Sequence, residues 1–383
     1  MNHHVIRINA AGLIDADQHA VAPAAIHLRN HTILFAGAPE QLDDQLHART
    51  LPAPSRTIDC PDELLLPALI NVHAHLDLSH IGPQPFAGSF ADWATMIRTT
   101  RAVHADDITR AVHHGADLAL RGGTALIGDI AGAASLDAAR ALLTSPIAGV
   151  SFLEIFGIGA RDTGVEDRLR QLTRDAPDDT DRHRIGIQPH APYSCSLATY
   201  QRCADLGRPL STHLAETLEE LEFIRAARGP LIDMLRAIGV WSPAITPHNC
   251  TPIAHLEPVL ARTPCIAAHL NYITDDDLHR LTDMPITVAY CPRASAYFRH
   301  PRAGHAAHRY RDMIDAGINV ALGTDSIVCL DTPDRLSILD DMRLLAQRDH
   351  TPGRDLLRMA TINGARALTV HPDACTFAPG PTL

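Results

Sequence analysis

The sequence predicts a (β/α)8 TIM barrel of the α/β class, joined to a small β-sandwich-like domain. Eight short apolar runs have the length of buried strands, and segments with helical periodicity separate them. Strands that are apolar on both faces and separated by helices pair in parallel, and eight such units close into a barrel. The 383 residues are enough for a barrel of about 250–300 residues and a smaller appended unit.

The appended β unit is predicted from the first 64 residues. Short stretches with β-type alternation occur at 5–9, 24–28, 32–36 and 57–60, with a turn at Gly37–Pro39. No helix is predicted there apart from a turn around 40–49. We therefore assign residues 1–64 to a small β domain and residues 65–368 to the barrel.

The barrel strands and helices alternate along the rest of the chain. Strands are predicted at 68–72, 124–128, 149–154, 184–188, 209–212, 265–268, 286–290 and 319–322. Helices are predicted between them, for example at 91–103, 108–120, 218–228 and 253–261, and after them at 334–347 and 354–368. In such a barrel the functional residues lie where each strand ends and its loop begins, so these ends are where a site is expected.

Composition and charge exclude several classes of protein. The net charge is −11 and no block of basic residues occurs, which argues against a nucleic-acid surface. The apolar stretches are too short for a membrane span, and the N-terminus lacks the apolar core of a signal peptide. The eight cysteines are dispersed without a Cys-x-x-Cys pair, which fits free thiols in a reducing cytosol. We expect a cytoplasmic protein that acts on a small molecule, and leave a homodimer open.

The sequence contains no lysine, so all 33 basic residues are arginine. Schiff-base catalysis, a phosphate-binding loop with lysine and a metal bridge of carbamylated lysine are therefore excluded. Histidine is abundant at 24 residues, so a single histidine carries little weight until its position in the fold supports it.

Ionisable residues nevertheless follow four predicted strands at the same topological place. The first strand leads into His73-Ala-His75, the fifth into His213-Leu-Ala-Glu216, the sixth into His269 and the eighth into Asp325. Two histidines one residue apart in an extended segment point the same way and can reach one ion. A lone histidine at a strand end is usually structural, but four coincident positions favour one common site.

Three neutral nitrogen donors and one carboxylate suit a single Zn²⁺, with Fe²⁺ as the alternative. The predicted ligands are His73, His75, His213 and Asp325. Such an ion lowers the pKa of bound water to about 7. Glu216 and His269 remain outside the ligand set, and hydrolysis needs one group to carry a proton and one to steer the nucleophile.

Six motifs resemble the amidohydrolase superfamily, most closely its cytosine deaminase-like and chlorohydrolase-like branch. In chain order they read PALINVHAHLDLS, PHAPYS, THLAETLEELEF, AHLN, CPR and ALGTDS, and the resemblance extends to about Leu368. It implies that the four predicted ligands bind the metal and that Glu216 protonates a ring nitrogen of the substrate. It further implies that His269 hydrogen-bonds the attacking metal-bound hydroxide and that Asp325 takes its proton. Binuclear relatives need a carbamylated lysine, so a mononuclear site is expected.

The resemblance also implies a reaction, the displacement of ammonia from a purine, pyrimidine or triazine ring. The segments YCPRASAYF and HAPYS are similar to enzymes that deaminate adenine nucleosides with a 5′ substituent, including aminodeoxyfutalosine deaminases. Open alternatives are a deaminase of the guanine or cytosine type, a hydrolase of halide or alkylamino substituents, and a catalytically silent metal-binding scaffold. The presence of both Glu216 and His269 argues against the scaffold, because neither is needed to hold the ion.

Three further residues are candidates for substrate contact: His190, Trp93 and Arg293. His190 ends the fourth strand and would face the site. Trp93 lies after the first strand, where the branch often keeps an aromatic lid, although core packing is the alternative. Arg293 would either pair with a substrate carboxylate through its planar fork or only brace the barrel rim.

The chain departs from the family pattern at its C-terminus. Relatives usually continue past the last barrel helix with further strands of the small β domain. Here only residues 369–383 remain, and they are rich in proline and glycine near the end. Whether this segment completes the β domain is left open by the sequence.

Overall fold

The computed structural model describes residues 4–17, 19–132 and 135–382, and the chain in it divides into two units. One comprises the described residues up to Ile70 and those from Leu345 onward, and the other extends from Asn71 to Leu344. None of the helices in the described ranges combines the length and the apolar character that a membrane span requires.

The first unit contains the N-terminal sheet that the sequence predicts. Its strands are β1 (Val5–Ile14), β2 (Ala20–Val21), β3 (Ala24–Arg29), β4 (Thr32–Gly37) and β5 (Arg56–Leu65). Strand β1 pairs antiparallel with β2 and β3 and parallel with β5, and the two-residue strand Gly380–Pro381 pairs antiparallel with β4. Buried apolar side chains, among them Leu13, Ile26 and Phe377, form the core of this unit.

A helix, α1 (Pro39–His47), follows β4 where the sequence predicted only a turn. Proline at the first helical position suits a helix start, because its missing N–H group needs no partner there. Only Leu42 of the nine residues is buried. The apolar periodicity that normally identifies a helix is therefore too weak to be read from this stretch.

Eight parallel strands form the barrel, which confirms the predicted fold class. They are β6 (Leu69–Ala74), β7 (Thr124–Ala131), β8 (Ala148–Ile155), β9 (His183–Pro189), β10 (Leu210–Leu214), β11 (Cys265–His269), β12 (Ile286–Tyr290) and β13 (Asn319–Leu322). Each strand lies next to the one that follows it along the chain. A parallel bridge between Ala74 and Asp325 closes the ring between the first and last barrel strands.

The first and last barrel strands meet through side chains as well as backbone. Asn71 Nδ2 donates to Thr324 Oγ1 at 2.7 Å, and the Thr324 backbone N–H donates to Asn71 Oδ1 at 3.1 Å. Gly323 faces His73 so closely that a Cβ atom would lie 2.8 Å from His73 Cβ and 3.0 Å from its carbonyl oxygen. Glycine therefore allows the two strands to approach at the position where ligands from both are expected.

Helices lie between the barrel strands and after them. They are α2 (Phe90–Thr100), α3 (Ala105–Arg121), α4 (Asp137–Leu143), α5 (Val165–Asp175), α6 (Leu197–Ala204), α7 (Leu218–Ala226), α8 (Pro230–Ala237), α9 (Pro252–Leu260), α10 (Asp275–Thr282), α11 (Pro292–Tyr297), α12 (Tyr310–Asp315), α13 (Ile338–Asp349), α14 (Gly353–Ala360) and α15 (Ile362–Ala367). Side-chain caps explain several starts: the hydroxyls of Ser89, Thr217 and Thr274 each accept the backbone N–H three residues on.

The predicted helix at 354–368 is interrupted between α14 and α15. Thr361 leaves the helical region, with φ −132° and ψ −87°, and its hydroxyl donates to the Leu357 carbonyl at 2.6 Å. A threonine hydroxyl that bonds a carbonyl one turn back competes with the backbone ladder, which accounts for a break that periodicity did not reveal.

Candidate metal centre

The four predicted metal ligands come together at the C-terminal end of the barrel. His73, His75 and His213 each offer a nitrogen within 4.8 Å of the others, and ligand atoms of His73, His269 and Asp325 are grouped equally closely. His75 Nε2 lies 3.6 Å from Asp325 Oδ1. All of these side chains are buried, so the cluster is shielded from bulk water.

The backbone sets the orientation of His213. Its Nδ1 donates to the His190 carbonyl oxygen at 2.9 Å, which leaves Nε2 without a proton in the neutral ring. That nitrogen lies 3.4 Å from His75 Nε2. A hydrogen bond that holds one ring nitrogen and leaves the other for a metal is the usual arrangement of histidine ligands.

The donor set fits a divalent cation. Within the described residues, both ring nitrogens of His73 and Nδ1 of His75 are buried without a hydrogen-bond partner, which is rare for polar atoms. Burial, and then the neighbouring histidines, lower the pKa of His73 and His75 well below the usual range. Both rings are therefore neutral, the form in which imidazole binds a metal.

The backbone is strained at this end of the barrel. His269 and Asp325 have φ values of 76° and 60°, and Ala215 and Leu270 have φ values of 50° and 51°. Residues other than glycine seldom adopt this left-handed region, and such strain is concentrated at functional sites. Here it turns strand ends so that ionisable side chains converge.

Glu216 and His269 form an acid–base pair beside these ligands. Glu216 Oε1 lies 3.7 Å from His269 Nε2, and both side chains are buried. Burial, followed by the charges of Asp325 and Glu220, raises the pKa of Glu216 well above its usual range. Burial likewise lowers the pKa of His269 well below its usual range and raises that of Asp325 to about 6. These shifts favour the protonated form of Glu216 and the uncharged form of His269.

His190 lies against the same group of rings. Its ring centroid is 4.9 Å from that of His213, and it stacks on Phe156 at 4.8 Å. Nδ1 is 2.7 Å from Ser194 Oγ, which itself donates to the Ala191 carbonyl, so Nδ1 is the donor of this pair. In the neutral ring Nε2 then carries a lone pair.

A family model described as amidohydrolase family matches residues 64–381. The chain belongs to the amidohydrolase family. It is accordingly a hydrolase, and the resemblance found in its motifs is confirmed.

This amidohydrolase is similar to characterised deaminases over most of its length. It is 28% identical over 379 residues to the aminodeoxyfutalosine deaminase of Deinococcus radiodurans, which covers 91% of this chain and 82% of the relative. It is 27% identical over 346 residues to a 5-methylthioadenosine/S-adenosylhomocysteine deaminase of Thermoanaerobacter pseudethanolicus, covering 82% and 70%. The crystal structure of a Xanthomonas campestris adenosine deaminase with bound zinc matches its fold with a TM-score of 0.74 at 19% identity, covering 98% and 83%.

An ion-pair network beside His190 was not foreseen from the sequence of this amidohydrolase. Arg101 lies between Asp77 and Glu154, with N–O distances of 3.0 Å to each, and all three are largely buried. Glu154 Oε1 is 3.9 Å from His190 Nε2. Glu154 is the next-to-last residue of β8, so its position at a strand end was a signal that could have identified it.

Trp93 lies in an apolar cluster built from helices and loops that follow the strands of the amidohydrolase barrel. Its ring is 5.8 Å from Phe90 and 4.9 Å from Phe298 between centroids, and the cluster also includes Tyr193 and Cys329. These contacts favour the packing role for Trp93, and none of them is with a predicted metal ligand.

Arg293 is not brought into the cluster of ligands. Its side chain is 8% exposed, and Nη2 is 2.5 Å from Asp331 Oδ1 and 2.8 Å from Thr332 Oγ1. Nη1 is 3.9 Å from Asp340 Oδ2, and the Arg293 backbone N–H donates to Asp341 at 3.2 Å. Since these carboxylates already balance the guanidinium charge, the contacts favour the bracing role over binding of a substrate carboxylate.

Proposed function

We propose that this amidohydrolase deaminates an aminated nitrogen heterocycle, and that the substrate is a purine nucleoside of the adenosine type. The observation that carries the proposal is the Glu216–His269 pair, two buried side chains whose Oε1 and Nε2 atoms lie 3.7 Å apart, next to a buried donor set of three histidines and an aspartate. The similarity to an aminodeoxyfutalosine deaminase and to a 5-methylthioadenosine/S-adenosylhomocysteine deaminase supports the choice of an adenine nucleoside.

The proposed cofactor is one divalent ion, zinc in preference to ferrous iron, held by His73, His75, His213 and Asp325. When bound, the ion would lower the pKa of a water molecule to about 7. Zinc is supported by this donor set and by the zinc bound in the Xanthomonas campestris structure. The absence of lysine supports a single ion, since no bridge of carbamylated lysine can form.

The remaining chemistry is assigned to side chains of this chain. The Glu216 carboxyl donates its proton to a ring nitrogen, which makes the adjacent carbon electrophilic. His269 hydrogen-bonds the attacking water and fixes its direction. Asp325 accepts the proton that the water releases. That proton is then passed to the amino group, the bond from carbon to this group breaks and ammonia leaves. The proton of the new hydroxyl group returns to the Glu216 carboxylate, which gives the carbonyl product and restores the proton donor.

Ammonia release across a panel of substrates tests the proposal directly. The panel contains adenosine, 5′-methylthioadenosine, S-adenosylhomocysteine, aminodeoxyfutalosine, guanine and cytosine, with a chlorotriazine assayed for halide release. We expect the highest kcat/KM for one of the adenine nucleosides. Turnover of guanine, cytosine or the chlorotriazine alone would replace this proposal with one of the other hydrolytic activities. No turnover by metal-loaded protein would favour a binding scaffold.

A further inference from the structure

Ala215, the residue between strand β10 and Glu216, has a strained backbone. Ala215 precedes Glu216 directly and has φ 50°, in the left-handed region that favours glycine. Nothing in an alanine side chain stabilises this conformation, so contacts from elsewhere must impose it. The direction in which Glu216 leaves the strand end depends on that conformation.

Glu220 holds this segment from the first turn of α7. It is 0% exposed, its Oε1 accepts the Ala215 N–H at 2.9 Å and its Oε2 accepts the Glu216 N–H at 2.9 Å. Both carboxylate oxygens are thus directed at consecutive amides. The helix does not need Glu220 as its cap, because the Thr217 hydroxyl already accepts the Glu220 N–H at 3.1 Å.

The carbonyl of Glu216 is held by a second buried side chain. Asn271 Nδ2 donates to the Glu216 carbonyl oxygen at 3.1 Å. Asn271 is itself fixed, because its Oδ1 accepts the Ser295 hydroxyl at 2.8 Å. Both polar groups of the Glu216 backbone are therefore bound to side chains that come from α7 and from the loop after β11.

We propose that Glu220 and Asn271 are positioning residues that fix the Glu216 backbone and thereby direct its carboxyl at the atom to be protonated. The proposal rests on the proposed function, in which Glu216 is the proton donor. Proton transfer requires the donor within hydrogen-bond reach of its target, and a misplacement of about 1 Å can cost 10²-fold in rate. A side chain as long as glutamate reaches that accuracy only if its Cα is held.

The variant Glu220→Gln tests the first contact. Its amide keeps the shape but can accept only one of the two N–H groups, since its –NH2 group would face a donor. We expect kcat to fall by about 10–100-fold with KM changed by less than about threefold, and with metal content unchanged. The matched control is Glu222→Gln on the same helix, where the half-exposed carboxylate bonds the Arg228 side chain. That variant should behave as the parent protein.

The variant Asn271→Asp tests the second contact, and this test remains possible if Glu220→Gln does not fold. Its carboxylate cannot donate to the Glu216 carbonyl, so the same loss of kcat at constant KM is expected. Unchanged kcat in either folded variant would overturn the proposal. A parallel loss of kcat, metal content and Tm would also overturn the proposal, because it would indicate a role in stability alone.

Amide hydrogen exchange separates this proposal from the proposed function. Exchange at residues 214–217, measured by mass spectrometry, should be faster in Glu220→Gln than in the parent protein and in Glu222→Gln. Faster exchange with no deamination of any panel substrate would keep the positioning contact and reject the assigned reaction. Unchanged exchange, with deamination intact, would reject the contact and keep the reaction.

Discussion

The Nε2 atoms of His75 and His213 lie 3.4 Å apart, and the two rings are stacked with an interplanar angle of 7°. Because His213 Nδ1 donates to a backbone carbonyl, its Nε2 presents a lone pair toward His75. Asp325 Oδ1 is 3.6 Å from His75 Nε2. Two nitrogens and a carboxylate oxygen that converge in this way form a site for a cation.

The first prediction concerns metal content. The purified protein should carry about one zinc or ferrous ion per chain, and His213→Ala should carry much less, since it loses a ligand whose orientation is fixed. Elemental analysis of both proteins measures this. His248→Ala, at an exposed histidine whose ring is tilted against that of His255, serves as the control and should keep its metal. Two tightly bound ions per chain would rule out the mononuclear site.

The second prediction concerns the proton donor. Glu216→Gln keeps the size of the side chain but cannot deliver a proton, so kcat for the preferred nucleoside should fall at least about 10²-fold. Metal content should remain that of the parent protein, because Glu216 is not among the proposed ligands. Steady-state kinetics and elemental analysis of the same preparation check both statements. A variant with nearly the parent rate would assign Glu216 to a structural role.

The third prediction distinguishes the two roles of Arg293. Arg293→Met removes the partner of Asp331 and leaves the neighbouring carboxylates without their cation, so the free energy of unfolding should fall by about 1–3 kcal/mol. KM should change by the same factor for an acidic and a neutral nucleoside. Denaturant titration and kinetics on aminodeoxyfutalosine and adenosine measure the two effects. A KM increase confined to the acidic substrate would instead show that Arg293 binds its carboxylate.

The fourth prediction concerns pH and the buried carboxyl of Asp341. Burial raises its pKa to about 7, although Arg293 partly opposes this shift. A carboxyl with a raised folded pKa contributes stability that is complete below its unfolded pKa of about 4 and is lost as the pH rises through about 7. The Asp341→Asn variant resembles the protonated form at every pH. The Tm of the parent minus the Tm of this variant should therefore be smaller at about pH 8 than at about pH 5. A difference in Tm that is the same at both pH values would show that Asp341 ionises normally.

Much of the barrel could be predicted because its strands are short, apolar and regularly spaced. Each predicted barrel strand overlaps an observed one, and the strand ends carry the histidines and carboxylates that the structure groups together. The helix α1 was missed because it buries only Leu42 and so lacks an apolar stripe. The break at Thr361 was missed because it depends on one hydroxyl–carbonyl hydrogen bond.

The contacts around the site were harder to foresee, because they depend on how distant segments approach. Glu220 belongs to a motif that was recognised, but its bonds to Ala215 and Glu216 require a left-handed backbone that no periodicity reveals. Arg101 lies at the end of α2, where an arginine is ordinarily solvated, and only the fold places it between two buried acids. Arg293 illustrates the reverse case, since the sequence could not show that three aspartates would surround it.

The pairing of Asn71 with Thr324 joins positions 253 residues apart in the sequence. His73 belongs to the first barrel strand, His75 follows that strand directly and Asp325 follows the last, so a chain that ends before the eighth strand lacks part of the proposed ligand set. During synthesis on the ribosome, the centre can therefore assemble only after nearly the whole barrel has emerged. Contacts of such long sequence separation form slowly. Until the eighth strand has formed, His73 and His75 are accessible to metal ions without the other proposed ligands.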